Sequence, residues 1–269
     1  MKTIAHISDL HFGRLEESTL PALRVTLTTL RPDLVVVSGD LTQRARKRQF
    51  RDARTFLDTL PGPQIIVPGN HDVPLYNVLA RWLSPLKNYR RYIESTLLPS
   101  HADGEIAVLG LNTARSLTIK DGRLNTRQMR DACEFFARHK TANMRILVTH
   151  HPFDVADPSE QDNILGRAPR AVAEFSACGV DMILTGHLHG AHVSNTAQRY
   201  GADSRILLVQ AGTATSTRLR NEANTWNVIR VSEGVVSVQV MTWQAGTKCF
   251  VPGPENRFLR SRGGWETLA

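Results

Sequence analysis

Five short motifs carry side chains able to hold metal ions: Asp9-Leu10-His11, Gly39-Asp40, Gly69-Asn70-His71-Asp72, His150-His151-Pro152 and Gly186-His187-Leu188-His189. Their donors are carboxylate, carboxamide and imidazole, a set that suits Zn, Mn, Fe and related divalent ions, and no thiolate is among them. One Asp can bridge two such ions about 3.5–4 Å apart, and water held between them is acidified to hydroxide near neutral pH. Two divalent ions outweigh the negative charge of Asp9 and Asp40, so the loaded site is net positive and suited to a phosphate oxyanion. A single strand-end His or Gly-Asp pair is an ordinary turn feature. Five together are hard to obtain as independent accidents, and glycine before Asp40, Asn70 and His187 lets the backbone turn sharply beneath the metals.

The elements that must position these motifs are legible in the hydrophobic pattern. Short apolar, β-branched runs at 3–7, 34–37, 64–67, 105–111, 145–149 and 181–185 predict strands. Helical spacing of apolar residues predicts helices over 18–30, 46–60, 125–139 and 170–178. Alternation of this kind implies βαβ units with buried parallel strands. Each motif falls just past the carboxyl end of a strand, where open α/β sheets collect their ligands. After residue 200 the pattern changes to strands at 205–210, 225–231 and 235–243, with Glu233-Gly234 closing a hairpin. Gly246, Pro252, Gly253, Pro254, Gly263 and Gly264 predict an irregular tail over 244–269. No linker divides the chain, so 1–269 reads as one domain.

The motif order D-x-H, G-D, G-N-H-D, H, G-H-x-H resembles that of the calcineurin-like metallophosphoesterases, over Asp9 to His189. The resemblance implies an α/β four-layer α/β/β/α sandwich with mixed β-sheets and two metals at the strand ends. By position it places one metal on Asp9, His11, Asp40 and His189, and the other on Asp40, Asn70, His150 and His187, with Asp40 bridging. His71 would protonate the leaving alkoxide or hold the phosphate, a role that suits imidazole because it titrates near neutral pH. In the protein-phosphatase branch an Asp three residues after the bridging Asp orients the catalytic His. Here that position is Gln43, so His71 needs another partner, for which Asp72 is the candidate. Arg44 matches a family arginine and reads either as a phosphate clamp or as a solvated charge in the basic run Arg44, Arg46, Lys47, Arg48. His151 is left as a substrate-side contact. None of the seven ligands is missing, as several would be in a non-catalytic scaffold of the same fold.

With His150-His151-Pro152, the chain looks most like the bacterial cyclic-nucleotide phosphodiesterase-like branch. That implies a metal-dependent phosphodiesterase using two divalent ions (Mn, Fe or Zn) on a cyclic nucleotide, a phospholipid or a glycerophosphodiester. A nuclease or phosphomonoesterase is the alternative. Lys plus Arg is 33 against 25 for Asp plus Glu, a formal net charge of +8, which favours an anionic partner. Between Asp72 and Glu105 lies a helical insertion over about 74–100, where Leu75, Leu79, Trp82, Leu86, Tyr89 and Ile93 form an apolar stripe and Pro85 divides it. Arg81, Lys87, Arg90 and Arg91 fall off that stripe. The basic helix at 75–93 reads as a solvated face or as a surface for anionic membrane. Nucleic acid is a weaker partner, lacking basic residues interleaved with aromatics. A homodimer joined through the tail is also open. Cys133, Cys178 and Cys249 suggest neither a disulfide framework nor a zinc site. The opening residues form no signal peptide and no run is long enough to span a bilayer, so a cytoplasmic protein, peripheral to membrane at most, is expected.

Overall fold

Thirteen strands and seven helices form the described structure, a computed structural model covering all residues except 77, 117, 119, 202, 203, 218–222, 262, 263 and 269. The first half runs β1 (Lys2–Ile7), α1 (Thr19–Leu30), β2 (Leu34–Val37), α2 (Lys47–Leu57), β3 (Gln64–Ile66), α3 (Val78–Leu83), α4 (Lys87–Tyr92), β4 (Ser100–Ala102), β5 (Ile106–Gly110) and α5 (Thr126–Arg138). The second runs β6 (Met144–Val148), α6 (Ala168–Ala177), β7 (Met182–Thr185), β8 (His192–Asn195), α7 (Thr196–Tyr200), β9 (Leu207–Gln210), β10 (Thr225–Ser232), β11 (Val235–Gln244), β12 (Cys249–Ser261) and β13 (Gly264–Leu268). One sheet has the order β13-β12-β11-β10-β1-β2-β3 and the other β4-β5-β6-β7-β9-β8. Both are mixed. Strands β1 to β3, and β5, β6, β7 and β9, pair in parallel, and antiparallel strands flank them.

Strand periodicity explains the layers. Successive side chains point to opposite faces. In β2, Leu34 and Val36 therefore join Val108, Ile146 and Leu184 between the two sheets. Val35 and Val37 face the other way, onto Leu23 and Leu27 of α1 and Phe50, Ala53 and Leu57 of α2. On the far side Leu147 and Ile183 pack against Phe136 of α5 and Val172 and Phe175 of α6. The result is the four-layer α/β/β/α sandwich with mixed sheets. Both sheets point the carboxyl ends of their parallel strands toward one rim, which is where the five motifs lie.

Three expectations are corrected. The tail is not irregular, because 249–268 forms β12 and β13 and extends the first sheet. Proline and glycine fit there because the register slips: Met241 pairs with Pro252 but Gln239 with Glu255, so Gly253 and Pro254 together oppose Val240. Such a bulge absorbs residues that cannot contribute to a regular ladder. The apolar stripe of the insertion also holds only in part. Leu86 and Tyr89 are buried, and the Tyr89 hydroxyl donates to the Ile66 carbonyl at 2.8 Å. Leu79 and Trp82 are exposed, whereas Arg81, expected on the solvated side, is buried. The break at Pro85 lets α3 take its own phase. Among the cysteines, Cys133 on α5 and Cys178 beyond α6 are bridged, their Cα atoms 5.3 Å apart, a pairing the spacing did not suggest.

Arg81 is buried because main-chain carbonyls satisfy it. Its guanidinium donates to Pro74 at 3.0 Å, Ser116 at 2.6 Å and Arg115 at 3.3 Å, and also to the Thr118 carbonyl. It thereby ties α3 to two loops at the rim of the sheets. Arg81→Met should leave these carbonyls without their donors and lower stability by about 2–4 kcal/mol, read from urea unfolding.

Candidate metal centre

Five of the seven candidate ligands are delivered by left-handed backbone. Among the described residues nine non-glycine residues have positive φ, and five of them are Asp9, His11, Asp40, His187 and His189. Left-handed backbone is costly for such residues, and its concentration at one spot marks a site held by the surrounding fold. Gly39 (φ +101°) has no room for a side chain, since a Cβ there would lie 2.5 Å from His150 Nδ1. A Cβ on Gly69 would meet an Asp40 carboxylate oxygen at 2.1 Å. These two glycines let the second and third motifs close on each other.

All seven candidates come together. Asp40 faces both ways: one carboxylate oxygen lies 3.8 Å from His11 Nε2 and the other 3.5 Å from His150 Nε2. On the first side, Asp9 Oδ1 lies 3.5 Å from His11 Nε2 and 3.5 Å from His189 Nε2. On the second, Asn70 Oδ1 lies 3.1 Å from His150 Nε2 and 3.1 Å from His187 Nδ1. Two donor groups share one carboxylate, the arrangement a two-metal site needs. Asp9, His11, His189 and Asp9, Asp40, His150 each hold their ligand atoms within 4.8 Å of one another.

The supporting contacts leave the inner atoms bare. Asp9 Oδ2 accepts from the Ser8 hydroxyl at 2.6 Å and the His187 amide at 3.0 Å, while Asp9 Oδ1 and the His11 ring nitrogens are buried without a hydrogen bond. His150 Nδ1 donates to the Ser38 carbonyl at 2.8 Å, which fixes the ring and turns Nε2 inward. A buried polar atom without a partner is expensive, so this donor set fits divalent ions. The charges agree. Burial would push Asp40 up, but His150, His71 and His11 outweigh it and hold the carboxyl well below its usual range. Burial likewise works against His150, yet Asp40 raises it to about 9. His187 is pushed down to about 3 by burial and by His150. A cation bound here would displace any proton these nitrogens carry.

His71 lies at the edge of this cluster. Its amide donates to Asp40 at 2.8 Å, and its ring stands 5.0 Å from that of His11. Asp72 does not orient it. That carboxylate is buried and accepts from the amides of Leu41, Thr42 and Gly69 and from the Thr42 hydroxyl. Burial and the Asp40 charge raise Asp72 to about 6. His71 Nδ1 instead donates to the main-chain carbonyl of Gln43 at 3.1 Å, with the Gln43 amide nitrogen 3.4 Å away. The position that lacks the expected Asp therefore supplies the contact from its backbone.

His151 is not placed to touch a substrate. It is fully buried, with Nδ1 2.8 Å from the Thr113 hydroxyl and Nε2 2.7 Å from the Lys120 carbonyl. Both nitrogens are engaged, and the ring lies 4.7 Å from His187 and 5.0 Å from His150. It fixes the loop after β5 against two of the metal-facing imidazoles. Arg44 lies half-buried with its guanidinium 5.3 Å from the Tyr76 ring, at the start of the insertion. Ser8, Ser38, Thr113 and Tyr76 were not singled out from the sequence. Ser8 and Ser38 flank motif residues, but nothing in spacing alone marks their contacts.

Two outcomes follow from this geometry. Millimolar Mn should stabilise the metal-stripped protein by about 3 kcal/mol at a hundredfold excess over Kd, read as a rise in Tm of about 5–10 °C. Asp40→Ala should lose that rise and both bound ions by elemental analysis. Gln43→Ala keeps the main-chain carbonyl and should lower kcat by less than about tenfold, whereas His71→Ala should lower it by about 10²–10⁴.

Comparison with known proteins agrees with this arrangement. A profile described as calcineurin-like phosphoesterase matches residues 2–191. A glycerophosphodiester phosphodiesterase, GpdQ, of Enterobacter lignolyticus is 35% identical over 80 residues, a stretch covering 26% of this chain and 29% of that protein. Among solved structures, a dimetal phosphatase from Danio rerio superposes with a TM-score of 0.63 at 14% identity, over 90% of this chain and 96% of that one. Purple acid phosphatase PPD1 from yellow lupin does so with 0.65 at 11% identity, over 90% and 51%. Vps29 from Chaetomium thermophilum gives 0.51 at 13% identity, over 96% and 97%. At these identities the structures speak for the fold alone. With the profile spanning most of its length, this chain belongs to the calcineurin-like phosphoesterase family.

Proposed function

We propose that the protein is a dinuclear-metal phosphodiesterase, with one ion held by Asp9, His11, Asp40 and His189 and the other by Asp40, Asn70, His150 and His187. The observation that carries this reading is the pair of buried donor groups on either side of the Asp40 carboxylate. The family's dependence on a dinuclear centre supports it. When bound, the two ions supply Lewis acidity toward phosphoryl oxygens and acidify water. Asp40 holds both donor groups at a fixed separation. Ser8 and Ser38 keep Asp9 and His150 aimed inward. With Nδ1 held by the Gln43 carbonyl, His71 would give a proton from Nε2 to the leaving alkoxide. Arg44, whose guanidinium lies 5.3 Å from the Tyr76 ring, would steady a phosphoryl oxygen.

A diester is the favoured substrate, either a cyclic nucleotide or a phospholipid or glycerophosphodiester. The chain's partial likeness to a glycerophosphodiester phosphodiesterase supports this reading. The ions are Mn, Fe or Zn, all of which accept this donor set. The test is a panel with added Mn: bis-p-nitrophenyl phosphate, p-nitrophenyl phosphate, cyclic nucleotides, glycerophosphocholine and single-stranded DNA. At least a tenfold higher kcat/KM on the synthetic diester than on the monoester is expected. The reverse preference would sink the diester reading, and turnover by folded Asp40→Ala would sink the metal centre.

A further inference from the structure

Among the described residues nine large apolar side chains are exposed, and five of them, Tyr76, Val78, Leu79, Trp82 and Leu83, occupy a single eight-residue stretch. Each is between 64% and 76% exposed. Isolated exposed apolar residues are ordinary, but a concentrated patch marks a contact surface. The patch is built on a fixed base, because Arg81 in the same helix is buried and tied to the carbonyls of two loops. The chemistry around it is one-sided. No Asp or Glu occurs from Val73 to Ile93, and Lys87, Arg90 and Arg91 are exposed. A groove of about 430 Å³ joins the apolar and basic parts, lined by Lys47, Leu79, Leu83, Pro85, Lys87 and Arg91.

The occupant must accept apolar side chains and offer negative charge beside them. A second copy of the chain meets the first need and fails the second, because a twofold contact would set two acid-free basic rims against each other. A bilayer carrying anionic headgroups meets both. Trp and Tyr settle at the interface, leucines reach the acyl boundary, and Lys and Arg meet phosphates. We propose that Tyr76, Val78, Leu79, Trp82 and Leu83, with Lys87 and Arg91, dock the protein on an anionic phospholipid surface. The membrane-facing residues are thus the apolar tip of α3, rather than a basic face that includes Arg81. Tyr76 also carries Arg44 on its ring, and Arg44 adjoins Gln43, whose carbonyl holds His71. Docking does not depend on the catalytic reading and fails separately from it.

The protein contains its own reporter. Of its four tryptophans, Trp226, Trp243 and Trp265 are buried, and Trp82 is 70% exposed. The full chain is mixed with vesicles of phosphatidylcholine alone, or of phosphatidylcholine with phosphatidylglycerol. Co-sedimentation and a blue shift of tryptophan emission are expected on the anionic vesicles only, with quenching by brominated acyl chains and loss of the shift in Trp82→Phe. Leu79→Ser/Leu83→Ser should weaken partitioning at least tenfold while hydrolysing soluble bis-p-nitrophenyl phosphate normally. Lys87→Glu/Arg91→Glu should weaken it on anionic vesicles, and added salt should do the same. Absence of any vesicle binding, or binding unchanged by the Leu79→Ser/Leu83→Ser pair, would overturn the proposal. So would a dimer, seen by sedimentation velocity without lipid, that shields Trp82 from iodide.

Discussion

The burial of Asp40 between two groups of imidazoles is the constraint to which the rest of the structure answers. A carboxylate with almost no solvent contact survives only if positive charge meets it. The His150 ring approaches it on one side and the His11 ring on the other. For both to arrive, the ends of β2, β3 and β6 must approach within a few ångströms, which is why Gly39 and Gly69 carry no side chain. The positive φ of Asp9, His11, Asp40, His187 and His189 has the same origin. Local backbone preference is sacrificed so that side chains on separate strands can point into one volume. Three stacked cores make that sacrifice tolerable, because the parallel strands are buried on both faces and cannot shift.

The same logic extends outward from the centre. Asp72, whose neighbours in sequence suggested a partner for His71, anchors the turn after β2 to the turn after β3 by accepting three amides. His151 anchors the loop after β5 behind His150 and His187. Arg81 fastens the insertion to that loop and to Pro74. Groups that would read as catalytic in isolation thus hold the rim together, while Asp9 Oδ1 and the His11 ring nitrogens at the centre are left without a hydrogen bond. Burial of both ring nitrogens distinguishes His151 from His71, which is only partly buried and reachable from solvent.

Beside this rigid centre the insertion presents a different surface. Its second helix, α4, is packed through Tyr89 against β3, while its first, α3, turns leucines and tryptophan to solvent. Helical periodicity could not separate the two, because a stripe at steps of three and four marks any amphipathic helix, whatever covers it. Among the described residues no helix is long and apolar enough to cross a membrane.

The fold and the candidate ligands were legible in the sequence for one reason. Both depend on local patterns: apolar runs of strand length, helical stripes, and short motifs just past the strand ends. Strand–helix alternation determined the layers, and glycine beside Asp40, Asn70 and His187 marked where the chain must turn. What the tertiary structure decided are contacts between residues far apart in the chain, which no local pattern encodes. It gave His71 the carbonyl of Gln43 in place of Asp72 and buried Arg81 among carbonyls up to 37 residues away. It also closed His151 off from solvent and bent a proline-bearing tail into β12 by a bulge opposite Val240. Arg81 and His151 were read from sequence as accessible, and the prolines as disruptive. The fold instead supplied distant contacts that accommodate them, and burying an unsatisfied polar group is costly.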